Sequence, residues 1–502
     1  MKHLPLSSLL LLFASCGSAT LSWNDEVSDV MDPYWEGDFS RAAKATNGNF
    51  REQWAVKLHP EKGEMVYGDN AVVANLERGR ILFDAGEFEK SLEAFELAES
   101  ILHHDFDERA TISAKDAAAE TESLLVNQKA MPYSGFVYDR ILLNTYKSMA
   151  AACAGDLERA LVECRRIDES QEEARRIFNK ESDGSKGERG LLKSLQKDKE
   201  FISDNPQLRA ASIPVEYRNF VNPFATLVKG VMRRIKNHPD ESGEVDFRNL
   251  VSMLPGNREV VAEYERIQKN QSAAGTLYVI WENGLGPRRR SVEVGIRYGK
   301  LRHSTYSPKW EFTDWMDTAY LALPELVPGR QAGTSLMVET TDGNSPATEL
   351  VSDMNSVERF EYQERMPMVL MRELARVVAQ ETLANEIEKS AKKKDKGKYK
   401  GANDDDEVFW SLLSKIGTNV YKSIVNQADD RCWRTLACNY QFKAIPIPEN
   451  RRVRLSINGG SGKPEIVELP DGEVLLLIVR SVNKRHLSYH AVGFPLGHRK
   501  HG

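Results

Sequence analysis

The chain has 502 residues, of which 41% are hydrophobic and 28% charged, and this length suggests roughly two to four domains with cores of ordinary size. The net charge is −6, from 68 basic and 74 acidic residues, which argues against general nucleic-acid binding because that needs a basic face. Five cysteines are too few for a disulfide scaffold. After the first residues no apolar run reaches about 18 residues, so no transmembrane helix is expected.

Residues 1–15 are typical of an export signal. Lys2 gives a positive start, and the apolar run from Leu4 to Phe13 is too short to span about 30 Å of hydrocarbon as a helix. The phrase Phe13-Ala14-Ser15-Cys16 resembles a bacterial lipobox, in which the cysteine takes a diacylglyceryl group and becomes the mature N-terminus. We therefore predict a lipid on Cys16, followed by a tether over residues 16–29. The alternative is an ordinary cleaved signal with an incidental cysteine.

No aspartate follows the predicted lipidated cysteine, since Gly17 and Ser18 come next. By analogy with the usual sorting of bacterial lipoproteins, this favours the outer membrane, facing the periplasm. Two or more acyl chains anchor a protein stably where one chain does not, because each buried methylene adds about 0.8 kcal/mol. The predicted location is thus the bacterial cell envelope.

Helical hairpins are predicted over residues 30–268. A glycine that ends one helix and an acid that opens the next occur at Gly37-Asp38, Gly86-Glu87 and Gly155-Asp156. The segments around Gly79 and Ser148 match at an offset of 69 residues. This offset is close to twice the roughly 34-residue unit of the tetratricopeptide repeat, and the pattern resembles that repeat. Such a stack leaves a concave surface that usually binds a peptide or protein. A helical spacer without a ligand is the alternative.

The pattern changes to strands after the helical half. Residues 270–350 are predicted to be β-rich, and residues 351–430 to form a helical pair around a mobile charged loop at 391–407. Residues 431–485 are predicted to form a small antiparallel β module, followed by a basic tail over residues 486–502. The expected fold class is therefore multidomain, with an all-α tetratricopeptide-like first half and an α+β second half.

No motif in the chain predicts catalysis, a cofactor or a metal. Gly459 to Lys463 lacks the spacing of a phosphate-binding loop and is predicted to be a hairpin turn. Arg288-Arg289-Arg290 is a compact basic patch, for which a solvated loop is the default and an anionic glycan or lipid headgroup the alternative. The carboxylates of Glu282, Glu293 and Asp353 are the acids that a wall- or glycan-acting hydrolase would use as acid and base.

The cysteines other than Cys16 leave the disulfide question open. An exported compartment permits bridges, and the four thiols of Cys153, Cys164, Cys432 and Cys438 allow three pairings. Because Cys153 and Cys164 occupy apolar helical positions, buried free thiols are predicted there. The pairing of the other two is not fixed by the sequence.

Several phrases together resemble one family, an uncharacterised group of bacterial tetratricopeptide-containing lipoproteins. The resemblance covers roughly residues 30–485 and is carried by the repeat at 139–167, Asn222-Pro223-Phe224, the strand and turn at 275–287, LALPELVPG at 321–329, and Arg431 to Leu436. It brings no catalytic residues with it. Together with the leader it implies a lipid-anchored envelope scaffold that binds envelope proteins through its helical repeat, with a possible link to cell-wall or envelope assembly. The alternatives are the hydrolase and a purely structural secretion or assembly subunit; neither nucleic acid nor a small molecule is favoured as a partner.

Overall fold

The computed structural model describes residues 22–60, 64–103, 129, 131–183, 192–193, 196–197, 199–210, 212–214, 216–217, 222–237, 242–303, 310–341, 343–370, 372–374 and 427–496. The predicted signal peptide, the predicted lipidation site Cys16 and the predicted charged loop at 391–407 lie outside these residues, as does the second helix of the predicted pair. Within them the first half is helical and the second half is α+β, as the sequence predicts.

Helices fill the described chain up to residue 268, apart from one short β-hairpin formed by β1 (Lys57–Leu58) and β2 (Met65–Val66). The helices are α1 (Trp23–Glu26), α2 (Ser28–Glu36), α3 (Phe39–Ala45), α4 (Arg51–Trp54), α5 (Ala71–Asp84), α6 (Phe88–Leu102), α7 (Val137–Cys153), α8 (Leu157–Asp183), α9 (Lys199–Asp204), α10 (Pro223–Lys236), α11 (Glu244–Met253) and α12 (Arg258–Gln268).

The predicted glycine–acid turns are confirmed. Gly37, Gly86 and Gly155 have φ angles of 86°, 79° and 87°, in the left-handed region where a residue without Cβ is favoured. The carboxylates of Asp38 and Asp156 then accept hydrogen bonds, each 2.9 Å long, from the backbone N–H three residues later. Each turn reverses the chain, so that the helices on its two sides pack together as a hairpin.

Close packing of a glycine against an aromatic ring recurs in two hairpins. A Cβ on Gly79 of α5 would lie 2.5 Å from the Phe95 ring of α6, and one on Gly230 of α10 would lie 2.8 Å from the Phe247 ring of α11. A second feature is found in two of the hairpins, where a serine hydroxyl bonds to a backbone carbonyl of the other helix. The hydroxyl of Ser91 donates to the carbonyl of Gly79 (2.7 Å), and that of Ser148 donates to the carbonyl of Ala160 (2.9 Å). These pairs lie 69 residues apart, with donor and acceptor exchanged between the two helices.

Replacing Gly79 with valine is expected to destabilise the fold by about 2–3 kcal/mol, because the added side chain overlaps the Phe95 ring in a packed interface. Chemical unfolding followed by circular dichroism measures this loss. Gly68→Ala is the control, since nothing lies within 4 Å of the position where its Cβ would be placed. Equal stability of the Gly79→Val variant and the wild type would contradict the packing described.

Twelve strands are described, of which the last ten form the β structure of the second half. They are β3 (Thr276–Asn283), β4 (Arg288–His303), β5 (Trp310–Val327), β6 (Ser335–Glu339), β7 (Glu349–Asp353), β8 (Asn439–Pro446), β9 (Arg452–Asn458), β10 (Glu465–Glu468), β11 (Val474–Ser481) and β12 (Ser488–Phe494).

The strands make a five-stranded sheet in the order β12-β11-β3-β8-β7, a three-stranded sheet in the order β10-β9-β6, and the long hairpin β4-β5. Strand β3 pairs in parallel with β11, with Thr276 opposite Val474 and Asn283 opposite Ser481. The prediction of a separate antiparallel module over residues 431–485 is therefore wrong. Its strands are completed by strands from residues 270–350, and β3, which is buried along its whole length, pairs with β11 on one edge and with β8 on the other.

The described chain forms three layers. One face of the five-stranded sheet packs on the helices through Tyr278, Ile280 and Phe442, and the other face packs on the three-stranded sheet through Leu277, Val279 and Trp281. All eight residues of β3 are buried, and so are all eight of β11. The helical half and one face of the five-stranded sheet consequently share a hydrophobic core, while the two sheets enclose a second one between them.

Both ends of the described chain belong to this fold, which corrects two predicted boundaries. Trp23, inside the predicted tether, is fully buried; its backbone N–H donates to Asp430 (2.9 Å) and its indole N–H to the carbonyl of Cys432 (3.0 Å). The predicted basic tail contributes β12, which pairs with β11 from Ser488 to Phe494. The aromatic and aliphatic residues between the basic ones, not the charges, decide the structure there.

The predicted free concave surface is also corrected. Every residue of α5 except Arg78 is buried, because the chain's own second half covers these helices. The Trp433 ring packs against Phe95 (5.9 Å between ring centroids) and Tyr146 (5.6 Å), and the Tyr440 ring stacks on Phe224 at 3.7 Å. Among the described residues, the inner faces of the helical hairpins are occupied from within the molecule.

A helix over residues 354–370 follows β7 and continues through Pro367. Its buried residues Tyr362, Met366 and Leu370 share a core with Val294 and Leu321 of the β4-β5 hairpin, not with the C-terminal strands. In the part of the chain that the structure describes, no helix combines the length and hydropathy needed to cross a bilayer.

Candidate functional site

The acids proposed for a hydrolase do not form a shared site. Glu282 lies in β3 and is fully buried, whereas Glu293 on β4 is exposed. The Asp353 carboxylate accepts hydrogen bonds from the backbone N–H of Asn355 (3.2 Å) and the hydroxyl of Ser356 (2.8 Å) at the start of the helix over 354–370. Asp353 therefore serves as a helix cap, a structural role for a carboxylate at this position.

Glu282 belongs instead to a buried cluster of charges between the helices and the sheet. The Arg80 guanidinium of α5 donates to the Glu282 carboxylate (2.6 Å) and pairs with Asp84 (2.9 Å), while the Tyr146 hydroxyl donates to the other oxygen of Glu282 (2.8 Å). The Tyr34 hydroxyl donates to Asp84 (2.5 Å). We name Arg80, Asp84, Glu282, Arg480, Tyr34 and Tyr146 the buried ionic cluster.

Arg480 of β11 completes the buried ionic cluster through main-chain contacts. Its guanidinium donates to the carbonyl oxygens of Glu282 (3.1 Å), Gly284 (2.5 Å) and Thr435 (3.2 Å). The cluster thereby joins α5, α7, β3 and β11 by charge-assisted hydrogen bonds, the stronger class of hydrogen bond in proteins. This arrangement fixes the helical layer against the sheet.

Burial governs the proton affinities in and beside the cluster. It raises the pKa of Asp84 to about 6, although Arg80 and Arg480 act in the opposite direction. Burial also lowers the pKa of His490 to about 4, with the positive charge of Arg80 adding to the effect. His490 packs edge-on against the rings of Phe83 (5.4 Å) and Phe88 (4.9 Å), so it is a neutral core residue at neutral pH.

The three arginines after β3 have different environments because side chains alternate along a strand. Arg289 points inward, is 5% exposed, and stacks on the Phe136 ring at 3.7 Å. Arg288 and Arg290 are exposed, and Arg290 forms an ion pair with Glu325. Of the predicted basic patch, the structure leaves Arg288 as an exposed cation whose side chain has no ion pair to a described carboxylate.

A surface groove of about 530 Å³ is lined in part by Arg330. The backbone of Arg330 exchanges two hydrogen bonds (2.9 and 2.8 Å) with Leu285, three residues before Arg288. The groove brings together the exposed side chain of Trp35, in the last turn of α2, with basic side chains of the loops that precede β6 and β12. We name it the basic groove; its lining includes Trp35, Glu36, Arg330, Lys484, Arg485 and His486. None of the three acids considered above lines it.

Backbone hydrogen bonds fix the walls of the basic groove. The Asn483 side chain donates to the carbonyl of Trp35 (2.7 Å) and accepts from the backbone N–H of Arg485 (2.9 Å). The backbone N–H groups of Ser461 and Gly462 donate to the carbonyl of Lys484 (2.8 and 3.1 Å). The glycine-rich segment at 459–462 is thus a turn between the paired strands β9 and β10, as predicted, and it supports the groove instead of binding phosphate.

Sequence reasoning missed the basic groove because its residues come from three distant segments. Trp35 lies in a stretch predicted to be helical repeat, Arg330 in the β-rich segment, and Lys484 and Arg485 at the end of the predicted β module. His486 also lines it, although the sequence places that residue in a disordered tail. The feature of the sequence that could have indicated the groove is the run Asn483-Lys484-Arg485-His486 directly before a strand.

The described cysteines are thiols without disulfides: Cys153 is half-buried, and Cys164, Cys432 and Cys438 are buried. Burial raises the pKa of the Cys164 thiol to about 12 and that of Cys438 to about 11, so both are protonated and unreactive at neutral pH. The prediction of free thiols at Cys153 and Cys164 is confirmed. No group of His, Cys, Asp or Glu within the described ranges has the arrangement of a metal site.

Comparison with known proteins identifies no relative. No protein-family model matches the chain, and no curated protein or solved structure matches it significantly.

Proposed function

We propose that the protein is a lipid-anchored scaffold of the bacterial cell envelope, held at the outer membrane and facing the periplasm by a lipid on Cys16. The supporting observation is the position where the folded body begins. Helix α1 starts at Trp23 and its first residue is buried, while Cys16 lies six residues before Ser22, the first described residue. A lipid there would hold a complete body close to the bilayer without unfolding any of it.

The helical half is proposed to be a degenerate tetratricopeptide-like array. The recurrences that support this are the left-handed glycine turns, the contacts of Gly79 with Phe95 and of Gly230 with Phe247, and the serine–carbonyl bonds spaced by 69 residues. Small residues facing large ones across a helical hairpin are typical of that repeat.

Partner binding is proposed to use the outer faces of the hairpins, since the inner ones are filled. The exposed side of α6 carries Glu89, Glu93 and Glu96, and Arg159 of α8 pairs with Glu96 (2.6 Å). Such a charged surface gives orientation and specificity to a transient protein contact more than it gives affinity. A possible role is the assembly of cell wall or envelope, where tethering raises the effective concentration of partners.

The anchor is tested by expressing the full chain with Cys16→Ala beside Ser18→Ala as the matched control. The wild type and Ser18→Ala are expected to sediment with membranes and to carry an acylated N-terminal cysteine by mass spectrometry. Cys16→Ala is expected in the soluble fraction, with the same far-ultraviolet circular dichroism spectrum. An unacylated mature wild-type N-terminus, or a Cys16→Ala variant that stays membrane-bound after a high-salt wash, would refute the proposal.

The partner surface is tested in the same membranes by cross-linking from α6. Glu93→Lys combined with Glu96→Lys is expected to remove the cross-links that wild-type protein forms with envelope proteins. Arg248→Glu, an exposed reversal on α11, is the control and should leave them unchanged. Identical cross-links in all of these proteins would exclude the α6 face as the contact.

A further inference from the structure

An exposed cluster of cations surrounds the basic groove. Arg288, Arg330 and Arg434 lie close enough that burial and the positive charges of Arg434 and Arg330 lower the pKa of Arg288. Arg330 also lines the groove with Lys484 and Arg485. No carboxylate of a described residue lies within ion-pair distance of the Arg288, Arg330, Lys484 or Arg485 side chains. The one carboxylate in the lining of the groove, Glu36, pairs with Arg41 (3.2 Å) and not with these four cations. The surface therefore holds like charges together that form no ion pair to a described residue.

The N-terminal segment enters the fold at this cluster. In helix α1 the Asn24 side chain donates to the carbonyl of Arg289 (3.0 Å) and accepts a hydrogen bond from the Arg434 guanidinium. The first described residue, Ser22, is two positions earlier, and Cys16 is six residues before Ser22. Six extended residues span at most about 20 Å, so a lipid on Cys16 would keep Ser22, two residues before Asn24, within about that distance of a membrane surface.

We propose that Arg288, Arg330, Lys484 and Arg485, with the Trp35 indole beside them, form a surface that binds the anionic headgroups of the bilayer to which Cys16 is tethered. The inference rests on the proposed lipid anchor for its geometry. The occupant is a phospholipid surface because an unpaired basic cluster attracts anionic headgroups. The place where the chain enters the body puts such a surface within reach.

Trp35 gives the surface a second membrane-compatible feature. Trp35 is 39% exposed, whereas Trp23, Trp281 and Trp433 are buried, and it borders the cationic side chains in the same groove. Tryptophan is enriched at membrane interfaces, where its apolar ring and polar N–H meet the headgroup region. An exposed tryptophan flanked by cations fits that environment on the face where the tether begins.

The proposal fixes the orientation of the anchored body. With the basic groove against the headgroups, the sheet and hairpins are held at a defined angle to the bilayer and do not rotate freely on the tether. Binding of this kind depends on ionic strength, since exposed charges are screened over about 8 Å at physiological salt.

The test is flotation of the full chain carrying Cys16→Ala with vesicles of phosphatidylcholine alone and vesicles that also contain phosphatidylglycerol. The measured quantity is the ratio of binding to the two kinds of vesicle, because this ratio cancels any binding that does not depend on the anionic lipid. Arg288→Ser, Arg330→Ser and Arg485→Ser together are expected to lower this ratio at least about tenfold at low salt, because each cation near an anionic surface contributes to attraction.

The matched control carries Arg209→Ser, Arg248→Ser and Arg372→Ser. These three arginines are also exposed and also lack ion pairs to described residues. This triple variant has the same net charge and is expected to bind as the parent does. Equal ratios for both triple variants, or a parent ratio near one, would overturn the proposal. So would binding of the parent to dextran sulfate but not to anionic vesicles, which would assign the surface to a polysaccharide.

These outcomes are separable from failure of the lipid anchor. The vesicle measurement uses protein without the Cys16 lipid, whereas the anchor is read from the mass of the native N-terminus. Thermal unfolding of both triple variants, followed by circular dichroism, shows whether a lower ratio of vesicle binding results from the loss of surface charge or from unfolding.

Discussion

Replacing Arg80 with methionine is expected to lower the free energy of unfolding by about 3–5 kcal/mol, because it leaves buried carboxylates without their cation. Arg80 has no exposed surface and bonds to both Glu282 (2.6 Å) and Asp84 (2.9 Å). Methionine fills similar space but offers no charge. The destabilisation is therefore electrostatic, and chemical unfolding of the purified body measures it.

The same helix offers a control for this prediction. Arg78 lies two positions before Arg80, and its guanidinium packs on the Trp54 ring at 4.1 Å without a buried ion pair. Arg78→Met should cost about 1 kcal/mol or less, the size of a partly exposed cation–π contact. Adding Glu282→Gln to Arg80→Met is expected to recover part of the loss, since one orphaned charge is then removed. An Arg80→Met variant as stable as Arg78→Met would contradict the account of the buried ionic cluster.

Trp433→Ala is expected to cost about 3–5 kcal/mol, the usual range for removal of a large buried aromatic side chain. Trp433 is 1% exposed, contacts Phe95 and Tyr146, and its indole N–H donates to the Thr435 hydroxyl (3.0 Å). Because it lies where the helices meet the segment before β8, the cavity should weaken both halves. Far-ultraviolet and near-ultraviolet circular dichroism should show one shared unfolding transition, shifted to lower denaturant.

Trp35→Ala is the comparison for that experiment. Trp35 is exposed on the groove, so its removal should change stability by about 1 kcal/mol or less. Two separate transitions in the Trp433→Ala variant, one helical and one β, would show that the halves fold independently and that the shared core is not a single cooperative unit.

Local features of the fold could be predicted from the sequence because their causes are local. The turns at Gly37, Gly86 and Gly155 follow from residue type alone, and β3 and β11 are apolar enough to be recognised as strands. Helix periodicity also indicates which side of a helix is buried, as at Cys164 of α8. What each face packs against is not encoded in its period, so a free concave surface was expected where the sheet lies.

The features that were missed depend on long-range pairing. Nothing near Arg80 indicates Glu282, since burial of both charges depends on a contact across 202 residues. The sequence predicts that Trp23 belongs to a tether and that β12 belongs to a basic tail, because the residues with which they pair are not adjacent to them in the sequence. The basic groove is of the same kind: its charges are ordinary in sequence and become a site only where three segments meet.

The contacts of the first helix with residues near the end of the chain have a consequence for the proposed export. Trp23 bonds to Asp430 and Cys432, which follow it by 407 and 409 residues, and β3 lies between β8 and β11, which come much later in the chain. If the chain is exported as proposed, it cannot complete this body until its last strands have left the translocation pore. Contacts between residues so far apart in the sequence favour slow folding. The polypeptide would therefore stay unfolded while it crosses the membrane.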